Sequence, residues 1–147
     1  MKHLANQFFA LHREQRRLVI LHLAKRSLQT WKQQFPEGTD LQYAESITGS
    51  MQTVELNLPE DAINEIENSD FDACVEERYQ EPIVALHDMD WALPEQAELA
   101  YYGIYNAHRL LKQQATVEEK LVLNQLLSAL PESVIEHALQ EALNEAN

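Results

Sequence analysis

Apolar residues recur at helical spacing almost from end to end of this chain. Residues 2–35 contain neither Gly nor Pro, and Leu11, Leu18, Leu21, Leu28 and Phe35 follow one another at steps of seven, three, seven and seven, with Ala24 and Trp31 widening the stripe. This spacing predicts one long amphipathic helix, or two with a slight break near Glu14–Arg17. Pro36 and Gly38 end it. Thr39 and Gln42 then suit a capping box, and Leu41, Ala44, Ile47, Met51, Val54 and Leu58 extend a second helical stripe. Gly49 inside that stripe costs about 1 kcal/mol relative to Ala.

Three Leu-Pro-Glu triplets punctuate the remainder, at Leu58–Glu60, Leu93–Glu95 and Leu130–Glu132. Pro in a first helical turn lacks only an N–H that would be unpaired anyway, and the acid after it meets the positive end of the helix dipole. Each triplet therefore predicts a helix start. The first leads into Ile63 and Ile66. Asp70 is placed to cap the next helix, with Phe71, Cys74, Val75 and Tyr79 inward and Glu76 and Glu77 outward; Pro82 is expected to interrupt it and restart a helix through Ile83, Val84 and Leu86. Beyond Pro94, a long helix carries Ala97, Tyr101, Ile104, His108 and Leu111 on one stripe. Thr116 and Glu119 form the best capping box, opening a helix with Leu121, Leu123, Leu126, Leu127 and Leu130. The last helix carries Val134, Ile135, Ala138, Leu139 and Ala142. Val54–Leu58 is the one short strand candidate. The triplets lie 35 and 37 residues apart, close to a helical-repeat period, but the residues between them do not match, so common helix-start chemistry accounts for them. The expected fold is an all-α, compact bundle of five to seven helices in a single domain, 1–147, with a long basic amphipathic N-terminal helix.

Composition agrees and adds one feature. A chain of 147 residues is large enough to bury roughly two-thirds of its unfolded surface. The single Cys74 excludes an internal disulfide, no apolar run is long enough for a bilayer, and a cytoplasmic location is expected. Charge, however, is segregated. Residues 1–35 hold seven Lys/Arg against one acid, Glu14, whereas residues 36–147 hold four against 23, within a net charge of −13. The leading bases Arg13, Arg16, Arg17, Lys25, Arg26 and Lys32 could reach phosphates, yet the anionic remainder repels a polyanion. Nucleic acid is therefore not the expected partner. A cationic helix lying across an acidic bundle, relieving its self-repulsion, is the simpler reading.

Reactive chemistry is mostly eliminated. Phe9, Val19, Val84, Tyr105 and Val134 stand three before five of the six His, so the Glu-x-x-His pairing of a di-iron bundle is absent, as is zinc-ligand spacing. His87-Asp88-Met89-Asp90-Trp91 is the densest polar cluster. Its His-Asp pair resembles that of helical metal-dependent phosphohydrolases, but those need a further Asp downstream and none follows Asp90. Cys74 sits on an apolar stripe, where a thiol is inert. The three Gly are isolated, so no phosphate loop or nucleophile elbow forms. Adjacent acids such as Glu76–Glu77 and Glu118–Glu119 point about 100° apart on a helix and do not share a site. No catalytic residue, metal ligand or cofactor site is expected.

Recognition of something cationic remains. The anionic body steers basic partners, while affinity needs anchors. The expected partner-binding residues are Glu76, Glu77, Tyr79, Glu81, Asp88, Asp90, Trp91, Tyr101, Tyr102 and Tyr105. In general character, though not by any motif, the chain resembles the bacterial immunity proteins, which are small, acidic, helical toxin inhibitors. The resemblance implies that acidic and aromatic residues cover a basic cleft on a partner such as a toxin. Two alternatives stand beside it. One is a homo-oligomeric scaffold or adaptor packing through the Leu11–Phe35 stripe of the N-terminal helix; the other is a metal-dependent hydrolase with dispersed ligands.

Overall fold

The computed structural model describes residues 1–45, 47–68, 74–88, 93–112 and 116–147, with the side chains of Cys74, Leu86, His87 and Asp88 outside that description. Among these residues are seven α-helices and one small hairpin, the all-α bundle expected. The first 35 residues form two helices, α1 (Lys2–Ala10) and α2 (Arg13–Gln34). The chain breaks at Leu11–His12, ahead of the expected position, because His12 caps α2. The Gln15 backbone N–H donates to the His12 ring, and the His12 N–H donates to Gln15 Oε1 at 3.1 Å.

The expected helix through Leu41–Leu58 does not form. Gln42–Ala44 (β1) pairs antiparallel with Met51–Thr53 (β2), Tyr43 opposite Gln52, and the strand candidate Val54–Leu58 is loop up to Asn57 with Leu58 opening a helix. Two causes stand out. Gly38 and Gly49 adopt positive φ (90° and 72°), which punctuates the segment as turns. Tyr43 and Val54 are also buried together against Ala85, a small cluster that a helical register would scatter. Thr39 donates to the Pro36 carbonyl instead of capping a helix.

All three triplets start helical segments. Pro59 lies in the first turn of α3 (Leu58–Glu67), Pro94 is the N-cap of α5 (Glu95–Leu111), and Pro131 precedes a 3-10 turn (Glu132–Val134) that enters α7 (Ile135–Ala146). Between α3 and α5, α4 (Cys74–Asp88) runs unbroken through Pro82, contrary to expectation. An interior Pro costs about 3 kcal/mol. Here Val75, Tyr79 and Ala85 are buried on both sides of a buried Pro82, and that packing holds the helix together. The Thr116–Glu119 capping box is also absent: α6 (Glu119–Ser128) starts at Glu119, whose carboxylate is taken by Arg16. Asp70 and Phe71 lie outside the described residues.

Helix α2 runs through the middle of the bundle, packed chiefly by α5, α7, α6 and α3 and touched by α1. Its buried residues are Val19, Ile20, Leu23, Ala24, Ser27, Thr30 and Trp31. The stripe expected to face the core therefore lies at the edge of the buried surface, and Leu18 is 55% exposed. Small residues let neighbours approach closely. Ser27 is buried and donates to the Leu126 carbonyl at 2.9 Å, and a Cβ on Gly103 would stand 3.0 Å from Leu126 Cδ2. On the outer helices, α6 buries Val122, Leu123, Leu126 and Leu127 but leaves Leu121 exposed, while α7 buries Ala138, Leu139, Ala142, Leu143 and Ala146.

Candidate functional site

The leading bases serve the fold. Arg16 donates through Nε to Glu119 of α6 at 2.8 Å and through Nη1 to the Leu11 carbonyl at 2.7 Å, closing the end of α1. Arg17 donates to the carbonyl of Leu111, the last residue of α5. Down the same helix, His22 meets Glu145 at 2.7 Å, Lys25 meets Glu67 at 3.0 Å, Arg26 meets Glu141 at 3.3 Å and Lys32 meets Glu60 at 2.7 Å. Cations at helix C-termini also oppose the negative dipole end. Arg16, Lys25, Arg26 and Lys32 are thus paired with acids of neighbouring helices, whereas Lys2 and Arg13 are exposed and have no ion-pair partner among the described residues.

One edge of the molecule shows the opposite. On α4 the single base, Arg78, is held by Glu55 at 3.2 Å and Asp61 at 2.8 Å. Glu76, Glu77 and Glu81 have no ion-pair partner among the described residues. Glu77, Glu81 and Val84 follow one another at i, i+4 and i+7, so they share a helix face, and Val84 is 48% exposed. The hairpin packs against this helix through Tyr43 and Ala85. Burial, followed by the charges of Glu81, Glu45 and Glu55, pushes the Tyr43 hydroxyl pKa above its usual value of 10.0. At and beside the hairpin tip, Ile47 is 89% and Met51 57% exposed. The edge therefore combines uncompensated carboxylates with three exposed apolar side chains.

The expected aromatic anchors are placed differently. Tyr79 and Tyr101 have no exposed surface, so the expectation that they contact a partner fails. They belong to a chain of packed rings: Phe35 to Trp31 (4.7 Å between centroids), Trp31 to Tyr101 (5.0 Å), Tyr101 to Tyr79 (4.7 Å) and Tyr79 to Tyr105 (4.9 Å). Arg109 caps the end of this chain, 5.6 Å over the Tyr105 ring. Tyr102 and Tyr105 are half-buried, and the Tyr102 hydroxyl donates to the Ile83 carbonyl at 3.4 Å. Glu77 is exposed, with Glu76 and Glu81 half-buried. Asp90 and Trp91 lie outside the described residues, as does the Asp88 side chain. Sequence reasoning missed Ile47, Met51 and Val84 as surface anchors. The first two look like core positions when the segment is read as a helix; the signal available was Gly49 between them.

Among the described residues no group of three or more His, Cys, Asp and Glu side chains is arranged to hold a metal ion. The buried His108 pairs through Nε2 with Glu65 at 3.1 Å, tying α5 to α3. No helix among the described residues is long and apolar enough to cross a membrane. Comparison with protein-family models, curated proteins and solved structures finds no match to this chain.

Proposed function

We propose that this protein is a non-catalytic, inhibitor-type binding domain that covers a basic macromolecule, such as a toxin, with the edge formed by α4 and the hairpin. One observation carries the reading: Arg16, Lys25, Arg26 and Lys32 of α2 are paired with acids of other helices, while Glu76, Glu77 and Glu81 have no ion-pair partner among the described residues, on a helix and adjoining hairpin that also expose Ile47, Met51 and Val84. Carboxylates accelerate and select the encounter. Apolar side chains that become buried supply the affinity that exposed charges do not. The mechanism is occlusion: the edge occupies the partner's basic cleft and excludes its anionic substrate.

The test compares the wild-type chain with a Glu77→Lys/Glu81→Lys variant, each immobilised and exposed to a soluble extract of the source cells at a salt concentration of about 0.15 M. The expected result is retention of a particular cationic protein by the wild type, at least about tenfold less by the variant, with that protein's own activity blocked in the complex. Retention of no cationic protein, equal retention by the variant, or an unimpaired partner activity overturns the reading.

A further inference from the structure

The outward side of α2 carries a second, independent pattern. Glu14, Leu18, Leu21 and Lys25 lie within about 60° of one another around the helix, and all four reach the surface. The Glu14 side chain is 84% and Lys25 48% exposed, Leu18 is 55% exposed and Leu21 half-buried. Clefts flank this ridge on both sides. One, of about 240 Å³, is lined by Leu18, Leu21, Ile66 and Leu111; the other, of about 170 Å³, by the same two leucines with Ala142 and Ala146. The α7 cleft is mixed in character, since His22, Lys25 and Glu145 line it too, and beyond α2 the half-buried Ile66 of α3 adds to the apolar surface.

The order of these residues selects the occupant. Their steps of four, three and four are symmetric, so reversing the stripe exchanges Leu18 with Leu21 and Glu14 with Lys25. A two-fold axis between Leu18 and Leu21 therefore sets leucine against leucine and carboxylate against ammonium, twice. We propose that this stripe joins two copies of the chain through antiparallel α2 helices, Leu18 of each copy against Leu21 of the other and Glu14 against Lys25. Such an isologous contact is self-complementary by construction. Antiparallel packing also opposes the two helix dipoles. Lys25 already holds Glu67 of its own chain at 3.0 Å, and Glu14 of the second copy completes a three-membered network. With Arg17 also lining the larger cleft, both signs of charge surround the seam, so two strongly anionic bodies can approach there with little repulsion. The four-residue ridge spans about 17 Å, too short for a stable interface of roughly 800 Å² per partner on its own. The flanking clefts supply the remaining area.

Sedimentation velocity across about 1–200 µM tests the proposal. The wild type is expected to dimerise in that range, and Leu18→Glu to remain monomeric with unchanged helical circular dichroism, because the position is already exposed. Glu14→Lys and Lys25→Glu alone each replace two attractive pairs by repulsive ones, weakening the dimer about tenfold. The double variant Glu14→Lys/Lys25→Glu regains opposite charges across the axis and binds more tightly than either single variant, though short of wild type because a carboxylate at position 25 faces Glu67 of its own chain. Glu77→Lys/Glu81→Lys is expected to leave the dimer intact, which separates this seam from the acidic edge. A monomeric wild type, single charge variants without effect, or a double variant that fails to recover overturns it.

Discussion

Tyr79, with acids around it, and Tyr101, in a tyrosine group flanking Gly103, look like surface anchors in the sequence, yet both rings are core, and their hydroxyls have no hydrogen-bond partner among the described residues. A buried hydroxyl without a partner costs about 1–3 kcal/mol. Tyr101→Phe is accordingly expected to raise stability by about 1 kcal/mol in urea unfolding, while Tyr101→Ala, which leaves a cavity beside Trp31, costs about 3–5 kcal/mol. The same burial governs alkaline behaviour. Desolvation holds the pKa of Tyr79 well above 10.0 and raises that of Tyr101 as well, with neighbouring tyrosines adding to both shifts. The folded chain therefore binds more protons than the unfolded chain above pH 10. Stability is fully present below the unfolded value of 10.0 and falls as pH rises beyond it. Tyrosinate absorbance for these residues should rise together with loss of helical circular dichroism. Titration of all tyrosines as ordinary exposed phenols, with the helices intact, would contradict the burial.

At the scale of elements, α2 decides most of the architecture. Its bases close the ends of α1 and α5 and pair with α3, α6 and α7, so a part-buried guanidinium such as Arg16 links three elements. Arg16→Ala is expected to cost about 1–2 kcal/mol, more than an exposed ion pair, because the Leu11 carbonyl loses its donor as well. Thermal or urea melts check this. Much of the element inventory was legible. The Leu-Pro-Glu triplets mark real helix starts since Pro and acid suit that position in any tertiary context. The hairpin was not legible: Leu41, Ala44, Ile47 and Met51 happen to satisfy a helical period, and what overrides it is contact between Tyr43, Val54 and Ala85 of α4, a residue distant in sequence. Pro82 misleads for a related reason, as packing along α4 outweighs its local cost.

For the whole molecule, charge is the governing quantity. A net −13 spread over the surface repels itself at long range, whereas the α2 pairs act across 2.7–3.3 Å. Salt separates the two. The Debye length falls from about 30 Å at 0.01 M to about 8 Å at 0.15 M, which removes most of the repulsion and little of the attraction. The melting temperature is therefore expected to rise by roughly 2–4 °C over that interval, and Glu76→Gln/Glu77→Gln/Glu81→Gln to reproduce part of the rise at low salt. A fall with salt would mean that the ion pairs dominate and that the acidic edge carries no excess charge.

The sequence by itself determined the helical class, the places where helices begin after prolines, and the separation of a basic leading segment from an acidic remainder. These are properties of local spacing and of composition, and they survive any arrangement in space. Tertiary structure alone decided that Tyr79 and Tyr101 are enclosed, that α2 turns the Leu18–Leu21 edge outward, that Gln42–Ala44 and Met51–Thr53 pair in a hairpin with Ile47 and Met51 exposed, and that Arg16, Lys25, Arg26 and Lys32 find acids within their own chain. The physical reason is coverage. Periodicity records which side chains avoid water, but a helix bounded by five others has more apolar positions than one stripe, and which of them stay exposed depends on where those neighbours stop.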